Sequence, residues 1–379
     1  MHIENLDDGL VVALVLALRL VVPLLIPTFP LPALIASLVI DGVDKSIFEQ
    51  FTSMQLDWYQ SYDKALDIYY LTIAYLSVLR NWRSTTAVAV AAALWYYRLV
   101  GVMAFELTQV RALLMVFPNT FEYFVIAIEV VRTRWDPARL TRRALIGTAA
   151  VIWVVVKLPQ EWWIHVAQLD FTDEFARVVL GVDPEAGWGA GFANRPWVVV
   201  LLVALVVAAV VAVRRLWPLL PAPDWPLTFR ADRVAELTGW VPRGAGPRRP
   251  RALWDRHLLE KVVLAGLVTA IMFEVYPGPE ASVVEVFGVV ALVVVLNGAL
   301  SLARARRGGG PRPFLVTAAA AFVANGAALA LFTALVGGRR GILSTGDALF
   351  FTYLITLVVV LYDTFTARRA ASERTVPAV

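Results

Sequence analysis

Two pairs of carboxylates, Asp41-Gly42-Val43-Asp44-Lys45 and Asp63-Lys64-Ala65-Leu66-Asp67, stand at the ends of apolar runs long enough to cross a bilayer. Charges at such places are costly unless they are paired or have a task. On a helix, residues three or four apart share a face, so Asp41, Asp44, Lys45 and Glu49 form one stripe. Asp63, Asp67 and Tyr70 form a second across a single turn. Two antiparallel neighbours would bring the stripes together. Four or five carboxylate oxygens converging at a membrane interface suit a hard divalent cation, Mg²⁺ or Ca²⁺, and through it a phosphate or diphosphate headgroup. The competing reading is structural, with Lys45 and Lys64 neutralising the acids as ion pairs.

The spacing is similar in kind to the signature of the CDP-alcohol phosphotransferases, which joins a DxxDGxxAR half to a GxxxDxxxD half across two helices. Asp41, Asp44, Asp63 and Asp67 carry the likeness, over about 27 residues. Lys45 stands where that signature has glycine, and Phe48 and Glu49 replace its Ala-Arg. Trp58 takes the place of the second glycine, and the second aspartate pair is one residue out of register. Those enzymes also work at the cytoplasmic face, so the chain is not assigned to them.

Further along, Phe117-Pro118-Asn119-Thr120-Phe121-Glu122 places an acid inside an apolar run. A carboxyl at that depth needs a partner, and Arg98, after Trp95-Tyr96-Tyr97, is the candidate. Together they could relay protons or substrate, or lock two helices. Lys157, Glu161 and His165 follow at intervals of four around Pro159 and share a face if the helix runs through the proline. His165 is a candidate acid/base near neutral pH, while Trp162 and Trp163 read most simply as an interfacial aromatic belt. Asp41, Asp44, Asp63, Asp67, Glu122 and His165 are thus the candidate catalytic groups, the four aspartates also the metal ligands. Lys45, Lys64, Arg98, Asn119, Lys157 and Glu161 are candidates for holding a substrate.

The elements that must position these groups follow from composition. With 59% hydrophobic and 17% charged residues among 379, and a mean hydropathy of +0.68, the chain is far more apolar than a soluble globule. It reads as an all-α, polytopic membrane bundle. Glu4, Asp7 and Asp8 stand where a cleavable leader would be basic, so the first apolar run is expected to stay. Cysteine is absent, which excludes disulfides, thiolate metal sites and Fe–S clusters. His2, His165 and His257 are too few and scattered for a bis-histidine haem or a multi-histidine metal site.

Apolar runs of the length that crosses a ~30 Å core fall at about 9–26, 32–50, 64–80, 86–104, 112–131, 144–160, 197–214, 259–275, 282–302, 314–336 and 346–366. That makes about eleven spans, or ten if Pro23, Pro27, Pro30 and Pro32 turn 9–40 into a re-entrant hairpin. Arginine concentrates in 132–143, 214–257, 303–313 and the tail after 366, which the positive-inside rule makes cytoplasmic. Segments 51–63, 161–196 and 276–281 are poor in basic residues and face outward, Arg339 and Arg340 being the dissenting pair. The C-terminus is then inside and the protein a multi-pass one of the cell membrane.

The net charge of +4 belongs to this topology and not to nucleic acid. The Pro- and Arg-rich segment 214–257, with one helical stretch from Asp232 to Trp240, is suited to anionic lipid headgroups. In 161–196 an amphipathic stretch, Phe171 to Leu180, precedes a Gly/Trp-rich one at 187–192. Residues 1–196 hold the polar and aromatic chemistry, whereas 197–379 are mostly Val, Ala and Leu apart from Glu274, Glu285 and Asn325. Three functions fit: a metal-assisted enzyme on a lipid-linked or phosphorylated substrate, a proton- or cation-coupled transporter using Glu122 and Arg98, and a subunit of a membrane complex or homo-oligomer.

Overall fold

The computed structural model describes residues 8–53, 59–167, 169, 171–239, 254–275, 282–306, 313–336 and 345–375. His2, Glu4, Asp7, Trp58, Asp170, Trp240, Arg307, Arg312, Arg339 and Arg340 lie outside them. Among the described residues the chain is wholly helical, without a strand.

Helix α1 (Asp8–Val21) tightens into a 3₁₀ turn at Val22–Leu25 and hands over to α2 (Pro30–Phe51), which begins on a proline. Proline costs nothing in a first turn, where its missing N–H has no partner anyway. The segment 9–40 therefore belongs to two helices packed side by side. Helices α3 (Tyr59–Asn81) and α4 (Thr85–Thr108) follow, then a short α5 (Ala112–Val116) broken from α6 (Thr120–Arg132) at Phe117-Pro118-Asn119.

Helix α7 (Arg142–Val151) continues without interruption through π turns at Ile152–Lys157 and Trp162–Val166, with α8 (Leu158–Glu161) between them. The wide π turns let the helix pass Pro159, which cannot donate an ordinary helical hydrogen bond. Beyond it lie α9 (Phe171–Glu174), running into a π turn to Leu180, and α10 (Gly187–Asn194). The Gly/Trp-rich stretch is thus helical and not a loop. The remaining helices are α11 (Trp197–Leu216), α12 (Ala231–Thr238), α13 (Arg256–Val275), α14 (Val283–Arg306), α15 (Phe314–Val336) and α16 (Thr345–Thr375).

Among the described residues, eight stretches are long and apolar enough to cross a membrane: 8–25, 85–108, 112–132, 142–164, 197–219, 283–303, 314–331 and 346–370. Of the about eleven runs expected, the three outside this set are α2, α3 and α13. Their position explains their polarity. Helix α3 is buried nearly all round from Leu66 to Leu79, packed by α1, α2, α4, α6, α13 and α16. Helix α11, by contrast, is only 6% buried. Lipid selects for apolar side chains on the perimeter, while polar groups are tolerated where other helices surround them.

One hydrophobic core joins both halves of the chain: α3 packs on α13 and α16, and α4 on α13. Polar side chains lock these contacts. Tyr69 Oη lies 3.2 Å from Tyr353 Oη, Tyr75 Oη donates to Glu260 at 2.7 Å, and Asn325 donates to Thr356 at 2.9 Å.

Ion pairs and hydrogen bonds sort the connections into two ends. Asp232 on α12 accepts from Arg80 at the end of α3 and Arg368 near the end of α16, at 2.7 and 2.8 Å. Asp224 accepts from the Asp136 N–H at 2.9 Å and pairs with Arg139. Segments 132–143 and 214–239 and the end of α16 therefore share one end of the bundle. At the other, Asp8 accepts from Ser53 N–H and Oγ at 3.2 and 2.6 Å, closing the start of α1 onto the end of α2.

Candidate functional site

The buried face of α2 carries Leu34, Ser37, Asp44 and Phe48, and Asp41 falls in the same stripe. Asp63 and Asp67 project from the first turns of α3 beside it. The cation that joins them is one the sequence reasoning missed: Arg19 of α1, whose side chain is only 3% exposed. Helical side chains lean toward the helix N-terminus, so Arg19, near the end of α1, reaches back to the level of the acids. Its Nη2 pairs with Asp41 and lies 3.2 Å from Asp67, and its Nη1 pairs with Asp44 and lies 3.0 Å from Asp63. The guanidinium also sits 5.4 Å from the Tyr62 ring centroid.

Tyr59 Oη donates to Asp44 at 2.5 Å, so the innermost acid is held from two sides. Asp44 is fully buried, whereas the side chains of Asp41, Asp63 and Asp67 are 21%, 33% and 28% exposed. Each of these three offers an oxygen within 4.8 Å of the other two. Ligands on opposite sides of a Mg²⁺ or Ca²⁺ ion stand about 4–5 Å apart, twice the ~2.0–2.6 Å ligand distance, so the triad has the dimensions of a cation site. Four carboxylates face one guanidinium, so acids outnumber cations in a site where Asp44 is fully buried and the other three reach solvent in part.

The neutralising lysines expected from the sequence are engaged elsewhere. Lys64 pairs with Glu106 at 3.5 Å and stands over the Phe105 ring, and Lys45 pairs with Glu49 at 3.6 Å. Successive helical residues point about 100° apart, so a lysine next to an aspartate is turned off its face.

Three residues beyond Asp67 on α3, Tyr70 Oη donates to Glu122 at 2.5 Å. Asn119, the N-cap of α6, donates from Nδ2 to the other Glu122 oxygen at 2.9 Å, and its Oδ1 accepts from the Glu122 N–H. Glu122 thus sits in the first turn of a helix, where the dipole favours a negative charge, and is 3% exposed. The Asn119 N–H donates to Glu161 at 3.4 Å, and Glu161 pairs with Lys157 at 3.5 Å. Lys157 also donates to Gln160 and lies over the Tyr123 ring. The π turns keep Lys157 and Glu161 on one inward face, both buried. Asp41, Asp44, Asp63, Asp67, Asn119, Glu122, Lys157 and Glu161 accordingly form one polar tract across α2, α3, α6 and the α7–α8 helix.

Arg98 does not pair with Glu122. It donates to the Phe117 carbonyl at 3.0 Å, and Tyr97 Oη donates to the Val116 carbonyl at 2.8 Å. The break at Pro118 frees backbone acceptors, and a carbonyl without a donor would be costly inside a membrane. The break also presses Phe117 onto α4: a Cβ on Gly101 would lie 2.0 Å from Phe117 Cβ. His165 falls in the second π turn, and its side chain is outside the described set. Trp162 and Trp163 are exposed.

Further along α3 from Tyr70 the interior holds a cluster of aromatic rings. Tyr75, Trp95 and Phe121 are each at most 1% exposed, with Trp95 and Phe121 centroids 5.2 Å apart and Tyr75 6.3 Å from Phe121.

A wholly helical chain with eight membrane-length apolar helices and a charged tract among its interior helices is a helical membrane protein. Compared with family models, curated proteins and solved structures, it matches none.

Proposed function

We propose that the protein is an eleven-span protein of the cell membrane, with its C-terminus in the cytoplasm and a divalent-cation site on the outward side that handles a phosphorylated or lipid-linked substrate. The observation that carries this is the Asp41/Asp63/Asp67 triad, mutually within 4.8 Å, with Arg19 as the one cation paired to all four acids. A bound Mg²⁺, Mn²⁺ or Ca²⁺ relieves the surplus negative charge and presents open coordination positions to phosphate oxygens. The partial exposure of the triad gives the ion a way in, while Asp44, Tyr59 and Arg19 form a fixed floor. Glu122, held by Tyr70 and Asn119, is the acid/base candidate behind the ion. Lys157 and Arg98 supply positive charge on the same side.

Support for a one-sided enzymatic site over a conduit comes from the buried aromatic cluster of Tyr75, Trp95 and Phe121, with Tyr75 five residues further along α3 than Tyr70, the donor to Glu122. Support for eleven spans comes from the segregation of the connections: α13 must cross if α12 and the end of α16 are to share one end, and α2 and α3 must each cross if Thr28 and Arg80 are to meet the 214–239 segment there while Ser53 meets Asp8 at the other end.

The test is binding of Mn²⁺ to the purified full chain, followed by electron paramagnetic resonance, then of inorganic pyrophosphate with and without the ion. One Mn²⁺ per chain is expected, weakened at least ~10-fold in Asp63→Asn and Asp67→Asn, as expected when a charged ligand is lost. The ion should add a pyrophosphate site to the wild-type chain that Asp63→Asn and Asp67→Asn lose. Wild-type protein that takes up no Mn²⁺ would refute the cation site, and Mn²⁺ that adds no pyrophosphate site would refute its substrate role.

A further inference from the structure

The opposite end of the bundle carries a second collection of charged groups, separate from the carboxylate tract. The segment after α11 is more than a basic loop lying on headgroups. Residues 221–238 strap back across the bundle, with Arg134 and Trp135 donating to the Pro221 carbonyl and the Ala231 N–H donating to the Thr28 carbonyl at 2.8 Å. Beneath the strap is a narrow cleft open to solvent, walled by α12 and the ends of α3, α6 and α16.

Two of the groups lining this cleft, Arg83 and Trp225, keep donors without an acceptor among the described residues. Arg83, half-buried in its wall, makes no ion pair or hydrogen bond with any described residue. The indole N–H of Trp225 is buried and likewise makes none. Arg132 engages Glu129 through Nη1 alone, at 2.7 and 2.9 Å, and Arg368 gives Nη2 to Asp232. The one carboxylate lining the cleft, Asp136, accepts from the Ala138 N–H at 2.9 Å. Three guanidiniums and an indole N–H therefore border a space lined by a single carboxylate among the described residues.

Buried donors in native proteins find acceptors, and planar guanidinium forks match the oxygens of phosphate. We infer that this cleft binds a phosphate group, carried either by a free anion or by a lipid headgroup. Its place among the arginine-rich segments, where the helices end, suits both sources.

The experiment titrates the delipidated full chain in neutral detergent with inorganic phosphate and, separately, with dihexanoyl phosphatidylglycerol, reading heat of binding. One site is expected. Arg83→Gln should weaken it by about tenfold or more, the usual worth of a charge-assisted hydrogen bond, and Trp225→Phe, which keeps the ring packing, by a few-fold. Arg139→Gln, a 73%-exposed arginine outside the cleft, should leave it unchanged. Saturation by phosphate assigns a free anion, and saturation by the lipid alone assigns a headgroup. The inference is overturned if neither probe binds, if Arg83→Gln and Trp225→Phe bind like wild type, or if Arg139→Gln weakens binding as much as Arg83→Gln.

Discussion

Replacing Arg19 with methionine, which keeps the unbranched apolar stem of the side chain and removes its charge, tests whether one guanidinium holds the carboxylates together. The pair with Asp44 is fully desolvated, and stranding one partner of such a pair costs about 3–5 kcal/mol. Asp41, Asp63 and Asp67 are a fifth to a third exposed, so their contacts lie nearer the ~0.2–1 kcal/mol of solvated pairs. Because all four share one cation these contributions do not add in full. The expected loss is about 4 kcal/mol, roughly a thousandfold in the folding equilibrium. Reversible unfolding in mixed micelles with EDTA measures it at neutral pH. Asp44→Asn leaves Arg19 with three acidic partners and should cost less. In the double variant both charges are gone, so the cycle should show a coupling of about 2 kcal/mol or more. Mn²⁺ should then stabilise Arg19→Met more than wild type, since the ion takes over the only positive charge. A loss below about 1 kcal/mol, or additive single and double variants, would refute the reasoning.

Two further outcomes follow from the ends of the bundle. The chain has no cysteine, so single cysteines report without background: Thr141→Cys and Gly309→Cys should resist impermeant maleimide in intact cells while Gly187→Cys reacts, and the reverse pattern overturns the orientation. Gly309 itself lies outside the described residues. At Asp232, burial raises the carboxyl pKa, but Arg80 and Arg368 outweigh it and hold the group below its ordinary value of 3.8. Its contribution to holding α12 in place is then complete above about pH 5 and fades only as pH falls below 3.8 through the folded value. Proteolysis in the strap should accordingly be flat from pH 5 to 8, with Asp232→Asn cut faster throughout that range; a wild-type increase between pH 7 and 5 would contradict the assignment.

What could be read from the sequence and what could not divide along a physical line. Helical spacing alone placed Asp41 with Asp44 and Asp63 with Asp67, because both pairs obey the three-to-four periodicity. A single short turn then made their two helices neighbours. The 100° rotation between adjacent residues could have excluded Lys45 and Lys64 as the neutralising partners. Arg19 carried one local signal, its charge, which needs a partner at that depth, but nothing local named that partner. It is a single charge in an otherwise apolar run, and its role depends on three helices meeting and on a long side chain leaning backward. Arg98 was matched to Glu122 by depth, but the break at Pro118 offered it a nearer acceptor, while Tyr70 and Asn119 satisfied the acid.

The strongest signal was one that hydropathy treats as weakness. Helices α2 and α3, which carry the acids, and α13, which packs against α3, are the three of the eleven apolar runs that are more polar than the eight long, strongly apolar stretches. In a soluble protein the most apolar helix is the one buried deepest. In lipid the perimeter is apolar as well, so burial among other helices is what permits an aspartate, a tyrosine hydroxyl or an arginine. The aspartates and tyrosines that lower the hydropathy of α3 are also the residues that meet Arg19, Glu122 and Glu260. Within an otherwise apolar polytopic chain, a run of membrane length that carries acids and tyrosines at helical spacing marks the interior helix and, with it, the site.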